Sequence, residues 1–424
     1  MIRSVLKNTK KRMTEKLLVI GAGPGQVHVI KAAKKLGYHV TAVSIPGDYP
    51  GFKIADEVLY EDIFNTDAII AYTKEHGVQG VVSDQSDMIA PLVGKVAEAL
   101  ELPTWGYETA RKFTDKVQMR VVFERLGLPV PAYFHATTLE EAKESIKKIG
   151  YPVIVKPTDA FASRGVFKLY NESELVDFFP KSLAASRCKN FIIEQLITGE
   201  QFFCQGFVQE HKLRLYAFSD RYYYDLPDLA IPYTNAFPAK ISLEFQERMT
   251  EMFTKVVDYL HPLFGHVWAE WIYDKETDKL YIIEIAIRGG GAFVTDELIP
   301  RAYGIDSQPF LVNAAMGHNE KKFADEVITP RSAAFFSFLL PEGTVRKING
   351  LQEVNDIPGV VKTDFKKITI GDRIPPIENK ESRYGMVVIE GKDRDELDSV
   401  LKKVKETITI EVETSIGTKG IIWD

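Results

Sequence analysis

Only two cysteines, Cys188 and Cys204, occur in 424 residues. That scarcity excludes a disulfide framework and a cysteine-based zinc site, and suits a reducing, cytoplasmic setting. Long apolar runs are missing too. None reaches the roughly 18 residues of a membrane span, and the basic start (Lys7, Lys10, Lys11, Arg12) is not followed by the apolar stretch of a secretory signal. No membrane partner is expected. Excess positive charge is also absent: 53 Lys and Arg stand against 59 Asp and Glu, a formal net charge of −6, so no cationic field is available for a phosphate backbone. No nucleic-acid partner is expected. Solenoid-length repeats and low-complexity segments do not occur.

What remains is an ordinary globular composition, 45% hydrophobic and 26% charged, which at roughly 150 residues per domain predicts about three domains. Residues 1–13 read as a short solvated tail. From Lys16 the order is apolar strand (LLVI), glycine-rich turn, amphipathic helix (VHVIKAAKKLG), strand (YHVTAVSI), and the unit recurs in IIAYTKEHGVQGVVS. Such alternation predicts a parallel α/β sheet closing near Leu102-Pro103. A helical segment, TARKFTDKVQMRVVFERLG, follows and ends at Gly127 and Pro129. Next come the helix LEEAKESIKKIG, the apolar strand YPVIV, a polar loop, the strand GVFKLY, a helix and the strand FIIEQLI. A long helix is predicted from about Leu243 to Leu260, then a hairpin, HVWAEWIY and KLYIIEIAI, leading to three glycines at 289–291. From Arg331 the pattern is of strands and turns plus one helix.

The turn Gly21-Ala22-Gly23-Pro24-Gly25-Gln26 invites a dinucleotide reading, but Gln26 stands where the third glycine belongs. The second strand, ending Val43-Ser44-Ile45, carries no acid for a ribose hydroxyl. A tight structural turn is the simpler reading. The hairpin says more. With its turn near Thr277, Glu270 and Glu284 fall opposite one another, where two carboxylates repel unless something cationic lies between them. A hard divalent ion would do so, and period-2 alternation adds Ala286 and Arg288 to the face of Glu284. The alternative is a solvated sheet face on which Arg288 neutralises Glu284. Lys156 ends an apolar strand beside the small-residue loop Asp159–Gly165, and could hold phosphates there or be a surface lysine before a loop.

Taken in order, these pieces resemble the ATP-grasp superfamily over nearly the whole chain. They comprise an N-terminal α/β block, Asp115-Lys116 opening a helix, Tyr151-Pro-Val-Ile-Val-Lys156-Pro, the small-residue loop, Phe191-Ile-Ile-Glu194-Gln-Leu with Gly199-Glu200, Glu270, and Glu284-Ile-Ala-Ile-Arg288-Gly-Gly-Gly. Each is weak alone; their order and spacing together are specific. The resemblance implies a mixed α/β and α+β fold: a pre-ATP-grasp domain at 14–105, an ATP-grasp domain at 106–330 with a lid at about 139–205, and a small α+β domain at 331–424 like that of L-amino acid ligase-like and biotin carboxylase-like members. Residue by residue, it implies that Lys116 and Lys156 hold ATP phosphates and that Ser163, Arg164 and Gly165 lie in a mobile phosphate loop. Glu194 and the backbone at Leu196 would meet the adenine edge, and Glu200 the ribose. Glu270 and Glu284 would bind Mg²⁺, with Mn²⁺ a substitute, while Arg288 would stabilise the transferred phosphoryl group. The work would be positioning and charge neutralisation, with no protein nucleophile.

Two departures from the family pattern stand out. Ala286 occupies the usual place of an Asn metal ligand, which puts a second Mg²⁺ in doubt, and Ala160 and Ala162 replace loop glycines. The implied activity is ATP-dependent joining of a carboxylate to an amine through an acyl phosphate, with amino-acid or peptide-like small-molecule substrates and a homodimer among the expectations. Alternatives are carboxylation through carboxyphosphate, a purine-pathway step, or a non-catalytic nucleotide-binding regulator. The run Gly289-Gly290-Gly291-Ala292-Phe293 argues against the purine enzyme.

Overall fold

The computed structural model describes residues 15–159, 163–326, 328 and 330–424. The expected tail at 1–13 and loop residues Ala160, Phe161 and Ala162 lie outside them.

Strands Lys16–Ile20, His39–Ser44, Glu57–Tyr60 and Gly80–Val82 form a parallel sheet with Lys16–Ile20 between His39–Ser44 and Gly80–Val82. Leu17, Leu18, Val19 and Ile20 are all fully buried, as an unbroken apolar run covered on both faces must be. The glycine-rich turn is closed by its own Gln26, whose side-chain oxygen accepts from the Gly23 N–H at 3.0 Å while its amide donates to the Asp84 carbonyl at 2.7 Å. That side chain fills the turn where a dinucleotide would need open space, in keeping with a structural turn.

A second sheet of four strands holds Tyr133–Ala136, Phe191–Gln195, Val153–Pro157 and Phe167–Leu169, in that order. Helices Leu139–Ile149 and Glu172–Ala185 pack on it, capped by Thr138 and Asn171, whose side chains accept from backbone N–H groups three residues on. This unit spans Tyr133 to Gln195. Glu200–Gln209, which falls inside the expected lid, belongs to the next sheet.

That sheet has eight antiparallel strands: Lys279–Ala286, Phe264–Asp274, Glu200–Gln209, Lys212–Tyr223, Pro232–Phe237, Ser332–Phe338, Gly385–Gly391 and Val360–Phe365. It crosses residue 331 without a break, because Pro232–Phe237 pairs directly with Ser332–Phe338. The helix Leu243–Leu260, capped by Ser242, buries Met249, Phe253, Val256, Val257 and Leu260 at helical spacing. The C-terminal helix Arg394–Thr407 buries Leu397, Val400 and Val404, and a four-stranded sheet built on Gly343–Asn349 and Thr409–Thr414 completes this end. No helix among the described residues is long and apolar enough to cross a membrane.

Candidate active site

One face of the eight-stranded sheet forms the floor of a 620 Å³ cavity, roofed by the four-stranded unit. The floor can be read from the register: Glu284 opposite Glu270, Glu270 opposite Phe203, Arg221 opposite Asn235, and Asn235 opposite Phe335. All six line the cavity. The loop after Gly80–Val82 adds Gln85 to Met88, and the segment near Lys380 closes the far side.

Lys116 is the first residue of the helix Lys116–Arg125, which Asp115 caps by accepting from the Gln118 N–H at 2.9 Å. The cap fixes the lysine at the helix start, 7% exposed, with its ammonium 3.4 Å from Glu284. Lys156, 8% exposed, sits on the strand Val153–Pro157, beside Phe191–Gln195. Its ammonium donates to Glu194 at 2.6 Å, and Arg120 reaches the other oxygen of Glu194 at 2.5 Å. Burial alone would raise the Glu194 carboxyl; Arg120 and then Lys156 outweigh it and hold it at about 2. Arg120 also donates to the Ile283 carbonyl at 2.8 Å, beside Glu284. Glu194, expected at the adenine edge, therefore has both oxygens engaged by cations and positions Lys156. The adjoining backbone from Gln195 to Thr198, Leu196 included, lines the cavity.

The hairpin places Glu270 and Glu284 opposite one another, by a less direct route than strict alternation. The ladder closes at Asp274 and Lys279, a register that would set Glu270 opposite Ile283; a bulge between Glu270 and Trp271 restores the pairing with Glu284. The expectation that only a bound cation could reconcile the two carboxylates is corrected. Arg221 pairs with Glu270 at 2.8 Å and Lys116 with Glu284 at 3.4 Å. Burial raises the Glu284 carboxyl, but Lys116, Lys380, Lys156 and Arg288 together bring it below the usual range. The chain's own cations thus stand beside both carboxylates.

Two carboxylate donors fit Mg²⁺ or Mn²⁺, which bind through one or two carboxylates plus water and substrate phosphates. No group of three or more His, Cys, Asp or Glu able to cage a metal occurs among the described residues, so such an ion would need oxygens from its substrate. Trp268 stands opposite Ala286, the position of the missing Asn. Over the Trp268 indole, at 4.8 Å from the ring centre, lies the Arg288 guanidinium. It is held by a two-pronged bond to Asp87 at 2.7 and 2.5 Å. Asp84 anchors the following turn by accepting from the Gly289 N–H at 2.6 Å. Asp84, His266 and Ser307 form a hydrogen-bonded row like a hydrolase triad, but all three are at most 1% exposed, and they join the parallel sheet to the large one.

Lys116, Lys156, Ser163, Glu194, Leu196, Glu270, Glu284 and Arg288 all line the one cavity. Glu200, Arg164 and Gly165 do not. Glu200 is exposed and pairs with Lys275 at 2.7 Å; Arg164 is exposed and pairs with Glu381; the Gly165 carbonyl accepts from Ser182. Asp87, Arg120, Arg221, Lys380 and Arg383 are absent from the sequence-based candidates. Arg221 alternates with Tyr223 on an interior strand, but its partner Glu270 lies two strands away, and nothing local to either residue announces the pairing.

Residues 149–296 match the family model of the ATP-grasp domain, and residues 337–413 match that of L-amino acid ligase C-terminal domain 2. An uncharacterised protein, y4rH of Sinorhizobium fredii, is 24% identical over 393 residues, spanning 89% of this chain and 79% of its own. Among solved structures, the L-amino acid ligase from Bacillus licheniformis superposes with a TM-score of 0.78 at 21% identity, covering 95% of this chain and 99% of that one. The phosphoribosylglycinamide synthetase from Anaerococcus prevotii gives 0.70 at 24%, covering 93% and 99%. The N5-carboxyaminoimidazole synthetase from Staphylococcus aureus, complexed with ADP, gives 0.71 at 16%, covering 92% and 96%. Residues 149–296 are thus an ATP-grasp domain, and the fold of the chain is that of ATP-grasp structures. Residues 337–413 add a domain of the kind that the L-amino acid ligases carry at their C-terminal end.

Proposed function

We propose that the chain uses ATP and Mg²⁺ to activate a small-molecule carboxylate as an acyl phosphate and joins it to an amine, releasing ADP and phosphate, with amino-acid or peptide-like substrates. The observation that carries this is the convergence of two opposed carboxylates, Glu270 and Glu284, with Lys116, Lys156 and Arg288 in one cavity. A carboxylate is a poor electrophile at neutral pH, and phosphorylation supplies its leaving group. In this reading Lys116 and Lys156 bind nucleotide phosphates, Glu194 and Arg120 hold Lys156 in place, and Arg288 neutralises charge on the transferred group. Glu270 and Glu284 would hold Mg²⁺, which would supply positive charge against the nucleotide's phosphates. The four-stranded unit excludes water from the acyl phosphate. The match of residues 337–413 supports amino-acid ligation over carboxylation.

ADP release, screened over paired carboxylates and amines with and without Mg²⁺, tests the reading. Turnover with at least one amino-acid pair, lost on Glu284→Gln, is expected. Wild-type turnover in Glu284→Gln would remove the metal assignment, and an unchanged ATP affinity in Lys156→Ala would misplace the nucleotide.

A further inference from the structure

Seven lysine and arginine side chains line the cavity against four carboxylates among the described residues. Most of these cations are already spoken for. Lys116, Lys156, Arg221 and Arg288 each have a carboxylate within 4 Å. Lys168 donates to the Leu226 carbonyl at 3.2 Å, on the four-stranded unit. Lys380 and Arg383 are different. Both are half-buried, and neither has a carboxylate within ion-pair distance among the described residues. Arg383 donates from Nη2 to the Pro232 carbonyl and lies over the Phe335 ring, while its Nε is buried with no partner.

Both residues come from the C-terminal part of the chain. A short turn, Lys380–Ser382, carries Lys380 inward and is fixed by Asn379, whose side chain accepts from the Glu381 N–H at 2.8 Å. Glu381 in turn pairs with Arg164 of the loop after Lys156, so the turn is tied to the roof. Lys380 there shares the cavity wall with Arg221, Arg383, Glu270 and Glu284, all four near enough for their charges to act on it. Three cations gathered in a partly desolvated wall repel one another, with the single carboxylate of Glu270 bound to one of them. An anion between them would relieve that repulsion. Burial, and then Arg221, already hold the Lys380 amine down to about 8.

The nucleotide does not account for it. Its phosphate cations in the proposed reading, Lys116 and Lys156, lie by Glu284 and Glu194, and a magnesium–ATP complex brings only about two negative charges against the surplus of three positive ones. One further anion is called for on the Arg221 side of Glu270.

We propose that Lys380 and Arg383, together with Arg221, form an anion subsite that holds the carboxylate of the substrate to be activated. This rests on the ligase reading of the cavity. It makes the C-terminal part of the chain a supplier of substrate-binding side chains, and it names carboxylate recognition as the function of a turn that no local motif marks.

Calorimetry with malonate as the probe carboxylate, titrated onto protein loaded with Mg²⁺ and the non-hydrolysable analogue AMP-PNP, decides the matter. Malonate should bind the wild type. Lys380→Met should weaken it about tenfold or more, the loss expected for a hydrogen bond between charged groups, and Lys380→Arg should restore most of the affinity. AMP-PNP affinity should change less than about twofold in both variants, which also shows them folded. Malonate binding that is absent from the wild type, or equal in Lys380→Met, overturns the proposal. So does a parallel fall in AMP-PNP affinity, which would give the cluster to the nucleotide's terminal phosphate. If AMP-PNP fails to bind the wild type, the ligase reading falls; malonate titrated onto the nucleotide-free proteins, with circular dichroism as the fold check, still decides the subsite.

Discussion

Glu194 is 1% exposed and shares its two oxygens between Arg120 and Lys156, so removing it leaves two buried cations facing each other. Glu194→Ala should therefore cost about 3–5 kcal/mol of stability in urea unfolding, and Arg120→Met with Glu194→Leu should cost less than that single change. A single variant as stable as the wild type would mean the triad is not held together in solution. Asp296 shows the opposite electrostatics. Burial first, then the charge of Asp84, pushes its carboxyl up from 3.8 to about 7. Below the unfolded value both states are protonated and nothing is lost. As pH rises toward 7 the unfolded chain releases a proton that the folded chain keeps, so stability falls through that window. Asp296→Asn removes the penalty. The melting temperature of the variant minus that of the wild type should grow from pH 4 to pH 8, and a difference independent of pH would refute the assignment.

At the scale of elements, the hairpin and the four-stranded unit matter most. The bulge after Glu270 keeps both carboxylates on the cavity face, since a ladder without it would turn one of them to the opposite side. Among the contacts that join the four-stranded unit to the rest of the chain are two ion pairs, Arg120 with Glu194 and Arg164 with Glu381, and an apolar cluster shared with Tyr224, Leu229 and Ile231. The second ion pair is exposed and worth little by itself. Mg²⁺ and AMP-PNP would add contacts from Lys156 and the loop at Ser163, shifting the population toward the closed arrangement. Hydrogen exchange in Val153–Pro157 and Phe191–Gln195 should slow on adding them. Equal exchange with and without nucleotide would show that this unit does not cover it.

On the scale of the whole molecule, the eight-stranded sheet binds the central and C-terminal segments into one structure. Residues 331–424 contribute three of its strands, and Phe335 and Val388 join the core that also holds Phe203 and Trp271. The two parts should unfold together. Tryptophan fluorescence checks this, with Trp423 kept in one variant and Trp268 and Trp271 in another: coincident urea transitions are expected, and two separated midpoints would show independent units. A chain cut at residue 330 would bare the edge of Pro232–Phe237 and should aggregate.

The local patterns were legible from the sequence alone. Apolar runs set the strands around Leu17–Ile20 and Val153–Val155, helical spacing set Leu243–Leu260, and a polar turn between two apolar strands set the hairpin, because these depend on neighbours a few residues away; the facing of Glu270 and Glu284 needed the bulge as well. The ordered series of such pieces was enough to point to the ATP-grasp domain that residues 149–296 match. Only the tertiary structure decided which charges meet. Arg221 finds Glu270 across an intervening strand, Arg120 finds Glu194 from 74 residues away, and Lys380 enters the cavity from a segment 96 residues beyond Glu284. Periodicity aims a side chain at one face of its own element; the order in which strands assemble determines what stands opposite, and no spacing within the chain encodes that order.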